Sequence, residues 1–218
     1  MSLALFDLDN TLIAEDSDHL WGDFLVAEGI VDPHKHKALN EHYYRQYQQG
    51  QLDIDEYLSF ALGPMAGMTP ETLSALQDKF LKKHIEPILL DAAFDLLQAH
   101  RVKGDTLIII TATNTLVAQP IADRLGVEHL IGCEAELKDG RYTGKPEGVP
   151  SFGEGKVQRI KTWCGEHQTS LEGAIFYSDS HNDLPLLREV ARAIAVDPDD
   201  LLRLEAQQCG WEIISLRP

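Results

Sequence analysis

Short, unbroken apolar runs punctuate this chain, and each leads into a polar residue. Leu3-Ala4-Leu5-Phe6 leads into Asp7, and Leu107-Ile108-Ile109-Ile110 into Thr111. Ala174-Ile175-Phe176-Tyr177 leads into Ser178-Asp179, Ala193-Ile194-Ala195-Val196 into Asp197, and Trp211 to Leu216 closes the chain. Apolar residues at consecutive positions suit strands buried on both faces. Helix-like stretches lie between them, at roughly 87–101, 116–125, 155–167, 183–191 and 199–208. This alternation predicts an α/β fold built on a doubly wound, mainly parallel sheet.

Residues 15–85 break the alternation. They read as helices over roughly 17–29, 34–50, 53–62 and 70–84, with breaks at Pro33, Gly50, Gly63-Pro64 and Thr69-Pro70. No strand is expected there. The expected organisation is an α/β core of residues 1–14 and 86–218, with a helical cap of residues 15–85 inserted after the first strand. That is a natural place for a lid. Asp139-Gly140 predicts a hairpin turn between Glu134–Leu137 and Arg141–Thr143.

Composition narrows the classes. The chain has 218 residues, 19 Lys and Arg against 35 Asp and Glu, and a formal charge of −16. Such a balance repels nucleic acid and anionic membranes, so neither is an expected partner. No apolar run reaches the ~20 residues that span a bilayer. Asp7 interrupts the apolar N-terminus and no basic leader precedes it, so no signal peptide is expected. Cys133, Cys164 and Cys209 have neither disulfide-framework nor zinc spacing, which fits ordinary thiols in a cytoplasmic protein.

The polar residues after the strands carry the chemistry. In open α/β sheets, ligands bind outside the carboxyl ends of the strands. Asp7 and Asp9 straddle the first such end, and Asp179 and Asp183 follow a later one. A solvated turn accounts for either pair alone, and helix capping accounts for one acid of the second. Together they form a hard, oxygen-rich set suited to Mg²⁺. A cation beside a nucleophilic carboxylate is a phosphoryl-transfer arrangement, which also needs a hydroxyl and an ammonium for the phosphate oxygens. Thr111 ends its own strand, and Lys156 opens a helix after a Gly-rich turn. A lone surface lysine is the commoner fate of that residue type.

This order of motifs resembles the haloacid dehalogenase superfamily over residues 3 to about 196, and most of all its phosphoserine phosphatase-like branch. Asp7-Leu8-Asp9-Asn10-Thr11, Thr111, Lys156 and Ser178-Asp179-Ser180-His181-Asn182-Asp183 carry the resemblance, with Asp139 to Gly144 matching the branch's hairpin. It implies a magnesium-dependent phosphatase acting on a small-molecule phosphate ester. Asp7 would be the nucleophile, and Asp9 the acid and base. Asp7, the Asp9 carbonyl, Asp179 and Asp183 would hold Mg²⁺. Thr111 and Lys156 would hold the phosphate, and Thr11 would brace the first loop. Thr11, Asp16, Thr113, Asn114, His181 and Asn182 are the expected substrate contacts.

Phosphoserine phosphatases of this branch grip their substrate with an acid after the first motif and an arginine in the cap. Asp16 stands at the acid's place, but Ala61 stands at the arginine's, and Arg45 is the one arginine of the cap segment. An amine hook without a carboxylate clamp implies an amino-alcohol phosphate, for which histidinol phosphate is the best candidate. Thr111-Ala112-Thr113-Asn114 is similar to the bacterial branch assigned as histidinol-phosphatase. The cap also carries His19, His34, His36, His42, Trp21, Tyr43, Tyr44, Tyr47 and Tyr57. Helix packing and surface account for most of these, and a pocket for a flat ring is the alternative. Phosphoserine is the rival substrate. A receiver-type signalling domain and a phosphosugar mutase are the rival activities. The long insert after Asp9 and the acid two places after Asp7 disfavour the receiver.

Overall fold

The computed structural model describes residues 2–218. It contains, in chain order, β1 (Leu3–Phe6), α1 (Ser17–Ala27), α2 (Pro33–Gln48), α3 (Ile54–Leu62), α4 (Pro70–Phe80), α5 (Asp91–Lys103) and β2 (Thr106–Asn114). There follow α6 (Thr115–Leu125), β3 (His129–Lys138), β4 (Arg141–Glu147), α7 (Glu154–Glu166), β5 (Ile175–Ser178), α8 (Leu184–Leu187), β6 (Arg192–Val196), α9 (Asp200–Cys209) and β7 (Glu212–Ile214).

The strands form one sheet in the order β4-β3-β2-β1-β5-β6-β7. All neighbours run parallel except the antiparallel pair of β3 and β4. β1 lies at the centre, between β2 and β5, so Asp7, Thr111 and Asp179 emerge on adjacent strands at one edge. Side chains alternate between the sheet's faces. Ala4, Phe6, Leu107, Ile109 and Tyr177 join a core with α5, α6 and the helices that follow β1. Leu3, Leu5, Ile108, Ile110 and Phe176 join a second core with α7, α8 and α9. Helices cover both faces, as the buried apolar runs require.

The helices between β1 and β2 begin on side-chain caps that the sequence supplies. Asp16, Asp32, Asp53 and Thr69 each accept a hydrogen bond from a backbone N–H of the first turn. Trp21, Phe24, Leu58, Leu62 and Phe80 form their apolar interior, continuous with the sheet's first core.

Three local expectations shift. The strand expected to end near Ile110 runs on to Asn114, with an irregular register against β3. The expected hairpin is the distal half of a longer strand: β3 first pairs with β2 in parallel and then turns out to meet β4. The helix expected over 183–191 is a 3₁₀ turn, His181–Asp183, followed by the single turn of α8. Pro185 in that first turn fits a helix start, and the chain then re-enters the sheet at Arg192.

The start of α7 is tightly packed. A Cβ on Gly155 would lie 2.0 Å from the carbonyl oxygen of Pro150, so only glycine fits one place before Lys156. Gly155→Ala should therefore destabilise the protein by at least ~2 kcal/mol, read from the urea midpoint. An unchanged midpoint would show that this loop yields freely.

Candidate active site

β1 ends at Phe6, and the pairing is carried one step further by Asp7, whose N–H donates to Tyr177 O at 2.8 Å. The chain then coils: the Leu8 carbonyl accepts the N–H groups of Thr11, Leu12 and Ile13, and Asn10 takes a left-handed φ of 56°. Asn tolerates that conformation better than most residues. The coil buries Asp7 and Asp9 side by side.

Lys156 reaches this point from the first turn of α7. Its ammonium donates to Asp7 Oδ1 at 2.8 Å and lies within 2.8 Å of both Asp183 oxygens. Ser178, the last residue of β5, donates its hydroxyl to Asp183 Oδ2 at 2.7 Å. Lys156 is 2% exposed. Burial works against its charge, but Asp183 and Asp7 outweigh burial and raise its pKa. Burial pushes the Asp7 carboxyl up to about 7, with Lys156 opposing and Asp183 and Asp9 adding to the shift. Burial likewise raises Asp179 well above the carboxylate range, reinforced by Asp7 and Asp183. The Thr11 hydroxyl donates to Asp179 Oδ1 at 3.3 Å.

Asp9 is fixed from two sides. The Ser17 N–H, at the start of α1, donates to Oδ1 at 2.6 Å. The Thr113 hydroxyl donates to Oδ2 at 2.7 Å, and Thr111 reaches the same oxygen at 3.4 Å. Thr113 therefore touches the neighbouring acid rather than standing free for a ligand. The period-2 spacing of Thr111 and Thr113 carries this signal, since both face the same way from β2. Ser178 was signalled less directly, by its place beside Asp179.

Asp7, Asp9, Thr111 and Thr113 form one wall of a cleft. Asp16, Asp18, His19, Asn40, Tyr43, Tyr44, Tyr47 and Tyr57 form much of the other wall, and among the described residues no Lys or Arg lines it. The tyrosines thus face the cleft rather than serving as packing alone. His36 is buried against Phe60, which accounts for it as packing. Asp16 both lines the cleft and caps α1, accepting the His19 N–H at 2.8 Å.

Four expected contacts lie elsewhere. Thr11 is fully buried, its hydroxyl on Asp179. Asn114 is fully buried and donates to Asp18 Oδ1 at 2.9 Å. The Asn182 side chain donates to the Tyr47 carbonyl at 3.1 Å, tying the last motif to α2. His181 Nδ1 lies 2.7 Å from Asp199, away from this cleft. None of the four lines the cleft. Sequence reading missed Asp18 and Asn40, which lie on helices whose facing only the fold reveals.

The donor chemistry at the strand ends fits a hard divalent cation. Asp7 and Asp183 share the Lys156 ammonium, and Asp179 lies near enough for both acids to raise its pKa. Among the described residues, no three acidic, His or Cys side chains close into a ready cage. Mg²⁺ retains several waters and needs only one or two carboxylates, so an open set is the appropriate kind.

Comparison with known proteins agrees with this arrangement. The family model described as haloacid dehalogenase-like hydrolase matches residues 4–188. A protein of Neisseria meningitidis serogroup C (strain 8013) named histidinol-phosphatase is 42% identical, over 99% of each chain. Phosphoserine phosphatase SerB1 of Mycobacterium tuberculosis (strain ATCC 25618 / H37Rv) is 31% identical, over 98% of this chain and 70% of its own length. The crystal structure of a Bordetella pertussis Tohama I protein of unknown function superimposes with a TM-score of 0.93, at 43% identity over 99% of each chain.

Asp18 offers a test of how the cleft is charged. Burial raises its pKa from 3.8 to about 7; hydrogen bonds from Tyr57 and Asn114 oppose this and Asp9 adds to it. A raised acid favours folding fully below its ordinary pKa, and that contribution is lost as pH climbs through about 7. Asp18→Asn should thus flatten the fall in unfolding midpoint between pH 5 and pH 8. Parallel curves for variant and wild type would contradict the shift. The matched motifs, the sheet edge that gathers them and the similarity over nearly the whole chain lead to one assignment: the chain belongs to the haloacid dehalogenase-like hydrolases and is a phosphatase of that family.

Proposed function

We propose that the enzyme hydrolyses a small amine-bearing phosphate ester through an aspartyl-phosphate on Asp7, with histidinol phosphate as substrate. The observation that carries the chemistry is the buried Asp7 carboxylate, which lines the cleft and lies 2.8 Å from Lys156. In this reading residues 15–85 act as a cap over the core.

An Asp7 oxygen attacks phosphorus, and the bond from phosphorus to the alcohol oxygen breaks. Asp9 gives its proton to that leaving oxygen. Asp9, now a carboxylate, takes a proton from water, which attacks the phosphorus and restores Asp7. Thr113 and the Ser17 N–H keep the Asp9 carboxyl in place through both steps. The Thr111 hydroxyl and Lys156 hold phosphate oxygens. Thr11 steadies Asp179, and Ser178 steadies Asp183. Asp7, the Asp9 carbonyl, Asp179 and Asp183 are the groups that would hold Mg²⁺, which when bound neutralises phosphate charge.

The cleft supports the substrate reading. Histidinol phosphate carries an amine and an imidazole but no carboxylate. The cleft offers Asp16, Asp18 and four tyrosines, with His19 but no Lys or Arg on its wall among the described residues. A phosphoserine carboxylate placed there would meet like charge without a bidentate partner. Asn114, His181 and Asn182 take supporting roles here, not substrate contacts. The similarity to a named histidinol-phosphatase points the same way, whereas the named phosphoserine phosphatase is less similar.

Steady-state kinetics with both esters tests this. Histidinol phosphate should exceed phosphoserine by at least ~tenfold in kcat/KM, the scale of one lost charged contact. A preference for phosphoserine would overturn the substrate assignment. A chelator should abolish turnover, and added Mg²⁺ should restore it; full activity after chelation would remove the metal from the account.

A further inference from the structure

Asp18 has no part in the phosphoryl chemistry, yet it lines the cleft that leads to Asp7. It is 7% exposed. Its side-chain partners are neutral: Asn114 donates to Oδ1 at 2.9 Å, and the Tyr57 hydroxyl bonds to the same carboxyl. A buried carboxylate with only neutral partners and no nearby cation costs stability. Asp18 also faces a small adjoining void, whose walls include Trp21, His36, Asn40 and Tyr57. Trp21 is 1% exposed, and its indole N–H has no hydrogen-bond partner. A buried acid and an unmet donor thus share one void, lined also by Tyr57, His36 and Phe60.

Aromatic surface lies beside this pair. Tyr43 packs edge-on against Tyr57, and both line the cleft. A flat ring with a polarised N–H fits such a place better than an aliphatic chain does. It would meet aromatic faces and give its N–H to a carboxylate. Asp16, at the other end of the α1 cap, remains for the amine.

We propose that Asp18, braced by Asn114 and Tyr57, is a specificity-determining residue that accepts the N–H of a nitrogen heteroaromatic ring on the alcohol part of the substrate. This rests on the phosphatase reading above and adds to it the group that selects the ring.

The test is steady-state kinetics of the Mg²⁺-loaded enzyme on histidinol phosphate, O-phosphoethanolamine and p-nitrophenyl phosphate. Wild type should prefer histidinol phosphate over O-phosphoethanolamine. In Asp18→Asn the ratio of the two kcat/KM values should fall at least ~tenfold, mostly through KM for histidinol phosphate. Tyr57→Phe, which keeps the ring but frees one side of Asp18, should lower the same ratio and serves if Asp18→Asn fails to fold. A ratio within about twofold of wild type in the folded variants would overturn the proposal, as would a wild type without the preference. Turnover of p-nitrophenyl phosphate separates the two readings. If wild type cleaves it but shows no ring preference, the Asp18 subsite alone fails. If wild type cleaves none of the three esters, the phosphatase reading fails and takes the subsite with it.

Discussion

The buried ammonium of Lys156 holds the site together. It bridges Asp7, at the end of the central strand, and Asp183, in the turn after β5, and is itself fixed by the first turn of α7. These three parts of the chain are far apart in sequence, and Lys156 stands 149 positions after Asp7. Burying a charge network is costly, and removing one partner costs more, because the others remain buried and unpaired. The surrounding packing keeps this network in register. Gly155 lets α7 begin against Pro150, Ser178 orients Asp183, and the Leu8 carbonyl draws the first loop into a coil.

The helices between β1 and β2 attach to this centre through backbone groups. The Ser17 N–H, at the head of α1, bonds to Asp9, and the Tyr47 carbonyl near the end of α2 accepts from Asn182. A Cβ on Gly50, just after α2, would come within 2.7 Å of His181 Nε2. Movement of these helices would therefore alter the setting of Asp9 and of the Asp179–Asp183 turn together. If these helices act as the proposed cap, closing over a ligand would move the groups that react with it.

Much of this was legible in the sequence. The apolar runs marked β1, β2, β5 and β6 because strands buried on both faces leave no alternation to misread, and the polar residue after each run marked the sheet edge. Asp7, Asp9, Thr111, Lys156, Asp179 and Asp183 do converge there. The less legible residues depend on geometry that linear spacing does not encode. Asn114 looked like a ligand contact because it follows Thr111, but the extension of β2 carries it into the interior beside Asp18. His181 sits among the metal-type acids, yet the 3₁₀ turn points it at Asp199. Asp18 went unnoticed because an acid in the first turn of a helix is ordinary dipole compensation. Only the packing of α1 against α2 and α3 puts it in the cleft wall.

The central claim is that Asp7 becomes covalently phosphorylated. The most direct test is to quench the enzyme during turnover of a phosphate ester, reduce with borohydride and map the peptides. An acyl phosphate is reduced to the alcohol, so homoserine is expected at position 7 and at no other aspartate. Absence of that product during steady turnover, or its appearance at Asp9 or Asp179 instead, would contradict the account.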